Sequence, residues 1–375
     1  MRVLVVGDFC PMHRVAELFD KDDFASVLGD VKPIIEQTDY SIVNFECPVC
    51  RGGEVPIIKY GPNLSCSEKG LEAVKWAGFN CVTLANNHFL DYGVEGVDNT
   101  LAACKKYGID TVGGGTNLKE ASQILYKEIG GRKLAIINCC EHEFSIASET
   151  TAGSNPLNPV QQYYAIKKAK ENADYVLVIV HGGHEHFQLP SLRIQEIYRF
   201  FVEAGADAVV NHHQHCYSGY EIYKGKPIFY GLGNFCFDWK GKQNPSWYEG
   251  YMVELDFDGN QIKYSICPYV QCENQECIQL VINSADFDTS IKKLNSIIVS
   301  ENELKRMLHD YYENASLEYE LMLQPYENRL LSKLFRLHLF SSMFSINHIS
   351  KILNRVECES HYEKFLYTLK KILSL

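Results

Sequence analysis

Residues 209–215 read Val-Val-Asn-His-His-Gln-His and place three histidines within four residues, at the end of a short apolar run. Three imidazoles on one turn have no packing rationale, and they would repel one another if they became protonated. Imidazoles that crowd together at the end of a strand are typical of a metal-binding site. The remaining ligands of such a site must come from other parts of the chain.

Four other predicted strands also end in side chains that bind metal ions. They cover residues 3–6, 40–45, 81–85 and 175–180, and each is short and apolar. In an open parallel sheet the carboxyl ends of the strands line one crevice, so the side chains that follow them converge there. The side chains concerned are Asp8, Asn44, Glu46, Asn86, Asn87, His88 and His181.

This donor set combines carboxylates, amides and imidazoles, and it contains no matched pair of thiolates. Such a mixture suits one or two divalent ions of manganese, zinc or iron better than a structural zinc site. Two ions that share a bridging ligand acidify a water molecule between them, which supplies a nucleophile near neutral pH. The pattern therefore predicts a metal-dependent hydrolytic site.

The first two-thirds of the chain alternates β-branched runs with amphipathic helical stretches, which predicts an α/β domain with much parallel pairing. One helix is predicted over residues 27–36, and a hairpin is predicted around Gly130-Gly131. After residue 220 the apolar runs are spaced as antiparallel strands. From residue 284 to the end, helix formers without glycine predict a helical extension.

Composition excludes some classes of function. The net charge of -11 argues against a nucleic-acid-binding surface, which needs a basic face. The 14 cysteines are scattered through apolar strands, which favours free thiols in a reducing compartment. The apolar run 3–6 is too short for a signal peptide or a membrane span. We therefore expect a cytoplasmic protein, with a peripheral position at the membrane left open.

The apolar segment 335–375 carries interleaved lysines and arginines, and it has no uninterrupted run of about 18 apolar residues that could span a membrane. Two interpretations remain. The segment is either a helical hairpin that packs on the domain or a docking surface for a partner or for an anionic membrane face.

Five motifs carry a resemblance to a known family. They are NFECP at 44–48, LANNHFLDYG at 84–93, HGGHE at 181–185, NHHQH at 211–215 and GKPIFYGLGNF at 225–235. In this order they resemble the successive motifs of the CapA family, whose members are associated with capsule or poly-γ-glutamate synthesis. The resemblance covers roughly residues 1–270.

The CapA family is similar in fold to calcineurin-like metallophosphoesterases. The resemblance therefore implies a four-layer αββα sandwich over residues 1–283, with 284–375 as a helical C-terminal extension. It implies Asn87 and His88 as catalytic residues, with His88 as the acid beside the leaving group. The implied metal ligands are Asp8, Glu46, Asn87, His181, His213 and His215. The implied supporting or substrate-contacting residues are Cys10, Asn86, Asp91, His184, Glu185, His212 and Asn234.

The chain departs from the metallophosphoesterase pattern at several positions. Their first motif is Asp-x-His, but here Cys10 stands in place of the histidine. Cys10 either ligates a metal as a thiolate, which would favour zinc, or leaves one metal weakly held. Glu46 replaces the usual bridging aspartate. Within the CapA family many members carry an aromatic residue after His181 and a tyrosine after Glu185. Here these positions are Gly182 and His186, which predicts a more open or differently polar pocket wall.

Two further features have alternative interpretations. The run 113–115 of three glycines is either a turn or a substrate contact, and it lacks the Lys-Ser/Thr of a phosphate-binding loop. Arg193 is either a contact for an anionic substrate or part of a solvated helix face.

Three functions compete. The leading one is a metal-dependent hydrolase of phosphoesters or related anionic bonds, with an anionic small molecule or polymer as substrate. The second is a non-catalytic factor that binds the polymer or the capsule-synthesis enzymes. The third is a hydrolase of γ-glutamyl or other amide bonds, since a two-metal site is not limited to phosphorus.

Overall fold

The structure is a computed structural model, and it describes residues 1–239, 241, 244–259, 261–323, 329–337, 339 and 345–372. The chain forms two compact units, Met1–Leu304 and Lys305–Leu375. Within the described ranges, no helix combines the length and the apolar character that a membrane span needs.

The strands are β1 (Arg2–Cys10), β2 (Tyr40–Phe45), β3 (Cys81–Thr83), β4 (Asp110–Val112), β5 (Gly114–Gly115), β6 (Leu125–Ile129), β7 (Arg132–Cys140), β8 (Gly153–Ser154), β9 (Tyr175–His181), β10 (Ala208–His212), β11 (Tyr220–Tyr223), β12 (Lys226–Phe229), β13 (Asn234–Phe237), β14 (Glu249–Asp256), β15 (Lys263–Gln271) and β16 (Ile278–Leu280). The α-helices are α1 (His13–Phe19), α2 (Phe24–Leu28), α3 (Lys32–Glu36), α4 (Lys69–Ala77), α5 (Gly93–Tyr107), α6 (Leu118–Ala121), α7 (Pro159–Asn172), α8 (Leu192–Ala204), α9 (Ala285–Val299), α10 (Glu301–Leu323), α11 (Arg329–Arg336), α12 (Ile346–Glu357) and α13 (Glu359–Ile372). A short 3-10 helix spans Pro245–Trp247.

Two large sheets form the centre of the first unit. The larger sheet has the order β16-β15-β14-β1-β2-β3-β4, and β13 also pairs with β1. In this sheet β1 to β4 are parallel, whereas β14 to β16 are antiparallel. The second sheet has the order β11-β12-β10-β9-β7-β6, with a parallel centre from β12 to β7 and an antiparallel strand at each edge. The parallel centres bring several strand ends to one edge.

The two sheets lie face to face between layers of helices. On the larger sheet, Leu4 and Val6 pack into a core with residues of α1 to α5. Rings from the two sheets meet between them, as in the pair of Phe229 and Tyr264 with centroids 5.5 Å apart. Helices α7 and α8 pack on strands of the second sheet. The predicted α/β fold with an αββα order of layers is confirmed.

One predicted helix is wrong as a single element. The stretch 27–36 lies in two short helices, α2 and α3, which are separated by Gly29 to Val31. Pro33 lies in the first turn of α3, where its missing N–H would be unpaired in any helix. Inside a continuous helix the same proline would remove a hydrogen bond and clash with the preceding turn. The predicted hairpin around Gly130-Gly131 is confirmed, since β6 and β7 pair antiparallel.

The described residues of the C-terminal part are helical, as predicted. Helix α9 lies in the first compact unit and buries Ile291, Leu294 and Ile298. The predicted division into a domain over residues 1–283 and a helical extension over residues 284–375 stays a prediction. Residues 338, 340–344 and 373–375 of the predicted segment 335–375 lie outside the described residues.

Candidate metal centre

Five strand ends meet at one edge of the two sheets and bring the predicted ligands together. Two groups of three side chains have ligand atoms that all lie within 4.8 Å of one another. One group is Asp8, Glu46 and His215, which we name the carboxylate-rich triad. The other is Glu46, His181 and His213, which we name the imidazole-rich triad. All five side chains are buried, and Glu46 belongs to both triads.

A β-bulge turns the Asp8 side chain toward this site. The register between β1 and β2 shifts between Val6 and Asp8, so Gly7 has no partner in that pairing. With strict alternation Asp8 would share the face of Leu4 and Val6, which pack against the helices. Position 7 requires glycine, because a Cβ atom there would lie 1.9 Å from the carbonyl oxygen of Gly233.

The carboxylate of Asp8 is held by two hydrogen bonds. Its Oδ1 accepts from Nδ2 of Asn44 at 2.7 Å, and its Oδ2 accepts from the backbone N–H of His213 at 3.3 Å. Nδ2 of Asn44 also lies 3.2 Å from Nδ1 of His181, so this amide supports both triads. From the sequence, Asn44 was expected only as a strand-end residue. Its signal was a polar side chain within an apolar strand that is buried throughout.

Glu46 is the least satisfied polar group of the site. Its side chain is fully buried, and neither carboxylate oxygen has a hydrogen-bond partner among the described residues. Its Oε1 lies 3.5 Å from Nε2 of His181 and 3.6 Å from Nε2 of His215. Burial raises the pKa of the Glu46 carboxyl well above its usual value, and the negative charge of Asp8 raises that pKa further. A cation among these oxygen and nitrogen atoms would supply the missing partner, so the residues fit a metal ion.

Burial favours the neutral form of two imidazoles near Glu46, those of His181 and His215. Burial lowers the pKa of His181 well below its usual value, and the histidines around it lower that pKa further. Burial likewise lowers the pKa of His215 to about 4. Nε2 of His181 lies 3.1 Å from Nδ1 of His213 and 3.0 Å from Oδ1 of Asn87. Asn87 therefore lies beside the imidazole-rich triad. A neutral imidazole is the form that binds metals, and the lowered pKa values of His181 and His215 favour that form.

The turn after β10 adopts strained backbone conformations at two of its histidines. His213 has a φ of 92° and His215 has a φ of 53°, in the left-handed region that disfavours side chains with a Cβ atom. Each such residue costs about 1–3 kcal/mol, and such strain is common at functional sites. Between strand and turn, Nε2 of His212 lies 2.9 Å from the carbonyl oxygen of Val6, so this ring links the two sheets.

Asn234 orients the His215 ring. Its Oδ1 lies 2.9 Å from Nδ1 of His215, and its Nδ2 donates to the backbone carbonyl of Trp247 at 3.0 Å. With Nδ1 engaged in this way, Nε2 of His215 is the nitrogen that lies toward Glu46. Such an outer contact selects the ring nitrogen that is free to bind a metal.

The His88 loop lies beside the triads. Oδ1 of Asn86 accepts from the His88 backbone N–H at 3.1 Å, and Nδ2 of Asn86 donates to the carbonyl of Phe45 at 2.9 Å. Nδ1 of His88 lies 2.6 Å from Oδ2 of Asp91. Asn86 and Asp91 thus support this loop in the structure. His88 is also among the nearby histidines that lower the pKa of His181.

Lys59, which was not predicted from the sequence, also belongs to this network. Its ammonium group forms an ion pair with Asp91 and lies 3.1 Å from Nδ1 of His88. Only 1% of the Lys59 side chain is exposed. A lysine in a polar loop is normally solvated, so the sequence carried no signal for this burial.

Cys10 is separate from the ligand groups. The two triads found among the described residues do not include it. Its side chain belongs to the core packed against the helices, where the Cys47 thiol is a hydrogen-bond partner. Burial raises the pKa of the Cys10 thiol to about 11, which disfavours the thiolate that would bind a metal. This placement favours the alternative in which the histidine of the first motif is simply lost.

The pocket wall near His181 is polar rather than open. A Cβ atom at Gly182 would lie 2.6 Å from Cγ of Glu141, so the Glu141 side chain fills the space beside the glycine. Glu141 also forms an ion pair with Arg193, whose side chain is 58% exposed, and neither interpretation of that arginine had included this pair. His184 is half-buried and Glu185 is exposed, and neither belongs to a triad.

The glycine run forms part of a short β-pair. Gly114–Gly115 pairs antiparallel with Gly153–Ser154, and the carbonyl oxygen of Gly113 accepts from the backbone N–H of Asn155 at 2.8 Å. Backbone groups of the run are therefore engaged within the fold, which favours the turn interpretation.

Comparison with known proteins places these residues in a family. A family model described as bacterial capsule synthesis protein PGA_cap matches residues 2–239. The chain belongs to this family. All side chains of both triads, together with Asn87, His88 and Asn234, lie within the matched range. The resemblance to CapA proteins that the motifs indicated is confirmed.

Two curated relatives of this PGA_cap protein carry the name CapA. The chain is 36% identical over 246 residues to the capsule biosynthesis protein CapA of Bacillus anthracis, which covers 64% of this chain and 60% of that protein. It is 33% identical over 236 residues to the PGA biosynthesis protein CapA of Bacillus subtilis (strain 168), with 62% of each covered. The match thus spans about three-fifths of the length of these relatives.

Among solved structures the similarities are distant. A hypothetical protein from Thermus thermophilus is 18% identical with a TM-score of 0.43, and the match covers 72% of this chain and 98% of that one. A 5'-nucleotidase precursor from the same organism is 12% identical with a TM-score of 0.42, and the match covers 86% of this chain and 60% of that one.

Proposed function

We propose that this PGA_cap protein is a metal-dependent hydrolase of phosphoesters or related anionic bonds in capsule or surface-polymer synthesis. The observation that carries the proposal is the Glu46 carboxylate, which is buried without a hydrogen-bond donor where two triads meet. A buried charge of this kind is costly unless a cation pairs with it. The residues thus support a site that is complete only with metal.

The two triads, with Asn87 beside them, would hold one or two divalent ions. Manganese, zinc and iron all accept such a mixture of carboxylate, amide and imidazole ligands. When bound, such ions activate a water molecule as the nucleophile and polarise an oxygen of the substrate. Asp8 and Glu46 would bind through oxygen atoms, and His181, His213 and His215 through ring nitrogens.

His88 would deliver the proton that the leaving oxygen needs. Its Nδ1 is engaged by Asp91, whereas its Nε2 has no hydrogen-bond partner among the described residues. Proton transfer through Nε2 is therefore the step that this side chain is arranged to perform. Asn87 would contribute to metal binding through its Oδ1, which lies 3.0 Å from Nε2 of His181.

The experiment combines metal analysis with hydrolysis assays. The full chain is purified, loaded with manganese, zinc or iron, and its metal content is measured by elemental analysis. We expect hydrolysis of a phosphomonoester or phosphodiester probe by the loaded protein, and a loss of at least about 100-fold in the His88→Gln variant at equal metal content. A protein with full metal occupancy that hydrolyses no probe, amides included, would contradict the proposal.

A non-catalytic role is the second candidate. The placement of Cys10 in the core leaves the first motif with one ligand fewer than a metallophosphoesterase has. In this case the site would bind an anionic polymer or a capsule-synthesis enzyme. An Asn87→Ala/His88→Ala double variant that still supports capsule formation in cells would favour this candidate.

Hydrolysis of a γ-glutamyl or other amide bond is a third candidate, and the same assay separates it from the first. A γ-glutamyl peptide is included among the probes at each metal loading. Amide hydrolysis without phosphoester hydrolysis would replace the leading proposal by this one.

We also infer a cytoplasmic protein whose C-terminal helices contact the anionic inner face of the membrane. Residues 329–375 contain eight lysines and arginines but three acidic residues, although the whole chain carries a charge of -11. Helix α12 exposes Ile346, Ile349, Leu353 and Val356, which repeat at helical spacing along one face. We expect the protein to sediment with phosphatidylglycerol vesicles and to sediment little with phosphatidylcholine vesicles. Sedimentation with phosphatidylglycerol vesicles should be reduced in an Ile349→Asn/Leu353→Asn variant. Equal sedimentation of this variant would contradict the contact.

A further inference from the structure

Lys59 is a buried charge outside the two triads. It lies between β2 and α4 in a part of the chain without regular secondary structure. Its side chain is 1% exposed, and the side chain of its partner Asp91 is fully buried. Lysine is among the residues least often found fully buried, because its ammonium group loses its hydration. A buried pair of this kind seldom adds stability compared with apolar residues of the same size, so the pair calls for another explanation.

Asp91 joins Lys59 to His88. Its Oδ1 pairs with the Lys59 ammonium, and its Oδ2 lies 2.6 Å from Nδ1 of His88. The same Oδ2 also accepts from the backbone N–H of Leu64 at 2.7 Å. Since a carboxylate oxygen can only accept, Nδ1 of His88 is the donor in this contact. The Lys59 ammonium, 3.1 Å from the same nitrogen, can only donate, so its hydrogen-bonding partner here is Asp91 and not His88. The proton on Nδ1 leaves Nε2 as the ring nitrogen for the reaction.

Lys59 also anchors the segment that covers Asp91. The backbone N–H of Ile57 donates to the Asp91 carbonyl oxygen at 2.9 Å. The Lys59 ammonium lies 5.2 Å from the centre of the Phe144 ring, which closes another side of its environment. Both carboxylate oxygens and the backbone of Asp91 are thus engaged, and the carboxylate has one orientation toward His88.

We propose that Lys59 is a positioning residue for His88. By pairing with Oδ1 of Asp91, it holds the carboxylate so that Oδ2 fixes the His88 ring with its Nε2 available to the substrate. The proposal rests on the proposed hydrolase function for its effect on rate, but its effect on the His88 ring is independent of activity. Direct contact with the substrate is disfavoured, because the ammonium group is enclosed.

The kinetic test compares two substitutions of Lys59 with a matched control. Lys59→Met removes the charge and keeps the length of the side chain, whereas Lys59→Arg keeps the charge. Lys106→Met, at a lysine with 63% exposure that pairs with Glu68, is the control. With p-nitrophenyl phosphate, we expect Lys59→Met to lower kcat about 100-fold with KM within about threefold, Lys59→Arg to recover part of the loss, and the control to match the wild type. A raised KM with an unchanged kcat would overturn positioning in favour of substrate contact.

A spectroscopic test does not depend on hydrolysis. In the metal-loaded protein labelled with 15N-histidine, the His88 ring is assigned by its loss in His88→Gln. We expect wild type to show a hydrogen-bonded Nδ1 proton, and Lys59→Met to lose the hydrogen-bonded signal or to show a changed protonation pattern of the ring. An identical His88 spectrum in both proteins would overturn the proposal. Inactive wild type with the expected spectra would instead reject the hydrolase function alone.

A second variant covers the case in which Lys59→Met does not fold. Lys59→Met leaves the buried Asp91 carboxylate unpaired, which costs stability. Lys59→Met/Asp91→Asn removes both charges, and we expect it to fold with the same loss of kcat. Wild-type kcat in this folded double variant would overturn the proposal.

Discussion

The carboxylate-rich triad and the imidazole-rich triad share Glu46 but differ in charge and support. The first joins two carboxylates to one imidazole, whereas the second joins one carboxylate to two imidazoles and lies beside the Asn87 amide. Asp8 accepts hydrogen bonds from Asn44 and from the His213 backbone, but Glu46 has no donor among the described residues. One carboxylate is therefore complete without metal, and the shared one is not.

This difference has a consequence for metal preference. Carboxylate oxygens suit manganese, and imidazole nitrogens suit zinc or iron. The two halves of the site should therefore bind with unequal affinity and unequal selectivity, although they share a ligand. Substitutions that remove the shared ligand should affect both halves, and substitutions in one triad should affect mainly that half.

The largest effect is expected from Glu46→Gln, which removes the charge common to both triads. We expect metal affinity to fall more than about 100-fold, since even outer-shell changes cost 10–100-fold. We expect the metal-free variant to be more stable than metal-free wild type at pH 7.5 by about 1–3 kcal/mol, because an uncompensated buried carboxylate is removed. Elemental analysis and urea unfolding with a chelator measure both effects. If the variant binds as much metal as wild type, Glu46 is not a metal ligand.

Asp8→Asn and His181→Ala should each break one triad. We expect each variant to retain one metal per chain where wild type binds two. Loaded from a mixture of manganese and zinc, Asp8→Asn should keep zinc and His181→Ala should keep manganese, because each retains the triad with the matching ligands. Elemental analysis measures the content, and His184→Ala, outside both triads, is the control. Loss of all metal in both variants would show that the triads form one site.

The dependence of the free energy of unfolding on pH should reveal the protonation of buried histidines such as His215. The pKa of His215 is lowered to about 4 from 6.5, chiefly by burial, so on acidification the unfolded chain takes up its proton first. The free energy of unfolding of metal-free protein therefore falls between about pH 6.5 and pH 4, by at most about 1.4 kcal/mol per pH unit for each such histidine. The raised pKa of Glu46 acts with the opposite sign, since the folded state protonates first at that carboxyl. In the metal-free Glu46→Gln variant this opposing contribution is absent, so the contribution of the histidines to the free energy of unfolding can be measured.

Urea unfolding of Glu46→Gln between pH 4 and pH 7 measures this slope. We expect a flatter slope when His215→Gln is added, because one titrating group is removed. An equal slope would mean that His215 does not remain neutral over this range.

The smallest effect is expected from Cys10→Ala, which tests whether the carboxylate-rich triad has a further ligand. We expect metal content and selectivity to remain those of wild type, because the thiol lies in the core beside Cys47. We expect a stability loss of about 1–2 kcal/mol from the lost packing. A selective loss of zinc would instead identify Cys10 as a ligand.

Much of the site could be predicted from single residues because strand ends have a simple geometry. Glu46, His181, His213 and His215 end or closely follow short apolar strands, Asp8 lies near the end of β1, and parallel strands deliver such residues to one edge. The single helix predicted over 27–36 was wrong because Pro33 lies in the first turn of a separate helix, α3. The apolar pattern alone did not indicate this break.

Asn44 and Lys59 were harder to predict, for different physical reasons. Asn44 is buried inside its strand, and its hydrogen-bond partners Asp8 and His181 lie on strands that are distant in sequence. Lys59 lies in an irregular segment, where local sequence carries little information about burial. Cys10 lies in the same core as Leu4 and Val6, whereas Asp8 lies at the site, and the register irregularities of β1 that accompany this arrangement have no signal in the local sequence.

By itself the sequence determined the α/β class, the family and the identity of the ligand types, because these depend on local periodicity and on short motifs. Only the tertiary structure decided how the histidines of residues 209–215 divide their roles. His212 contacts the Val6 carbonyl, whereas His213 and His215 join separate triads around Glu46. The reason is that backbone conformation and partners from distant strands, rather than spacing along the chain, set where each imidazole lies.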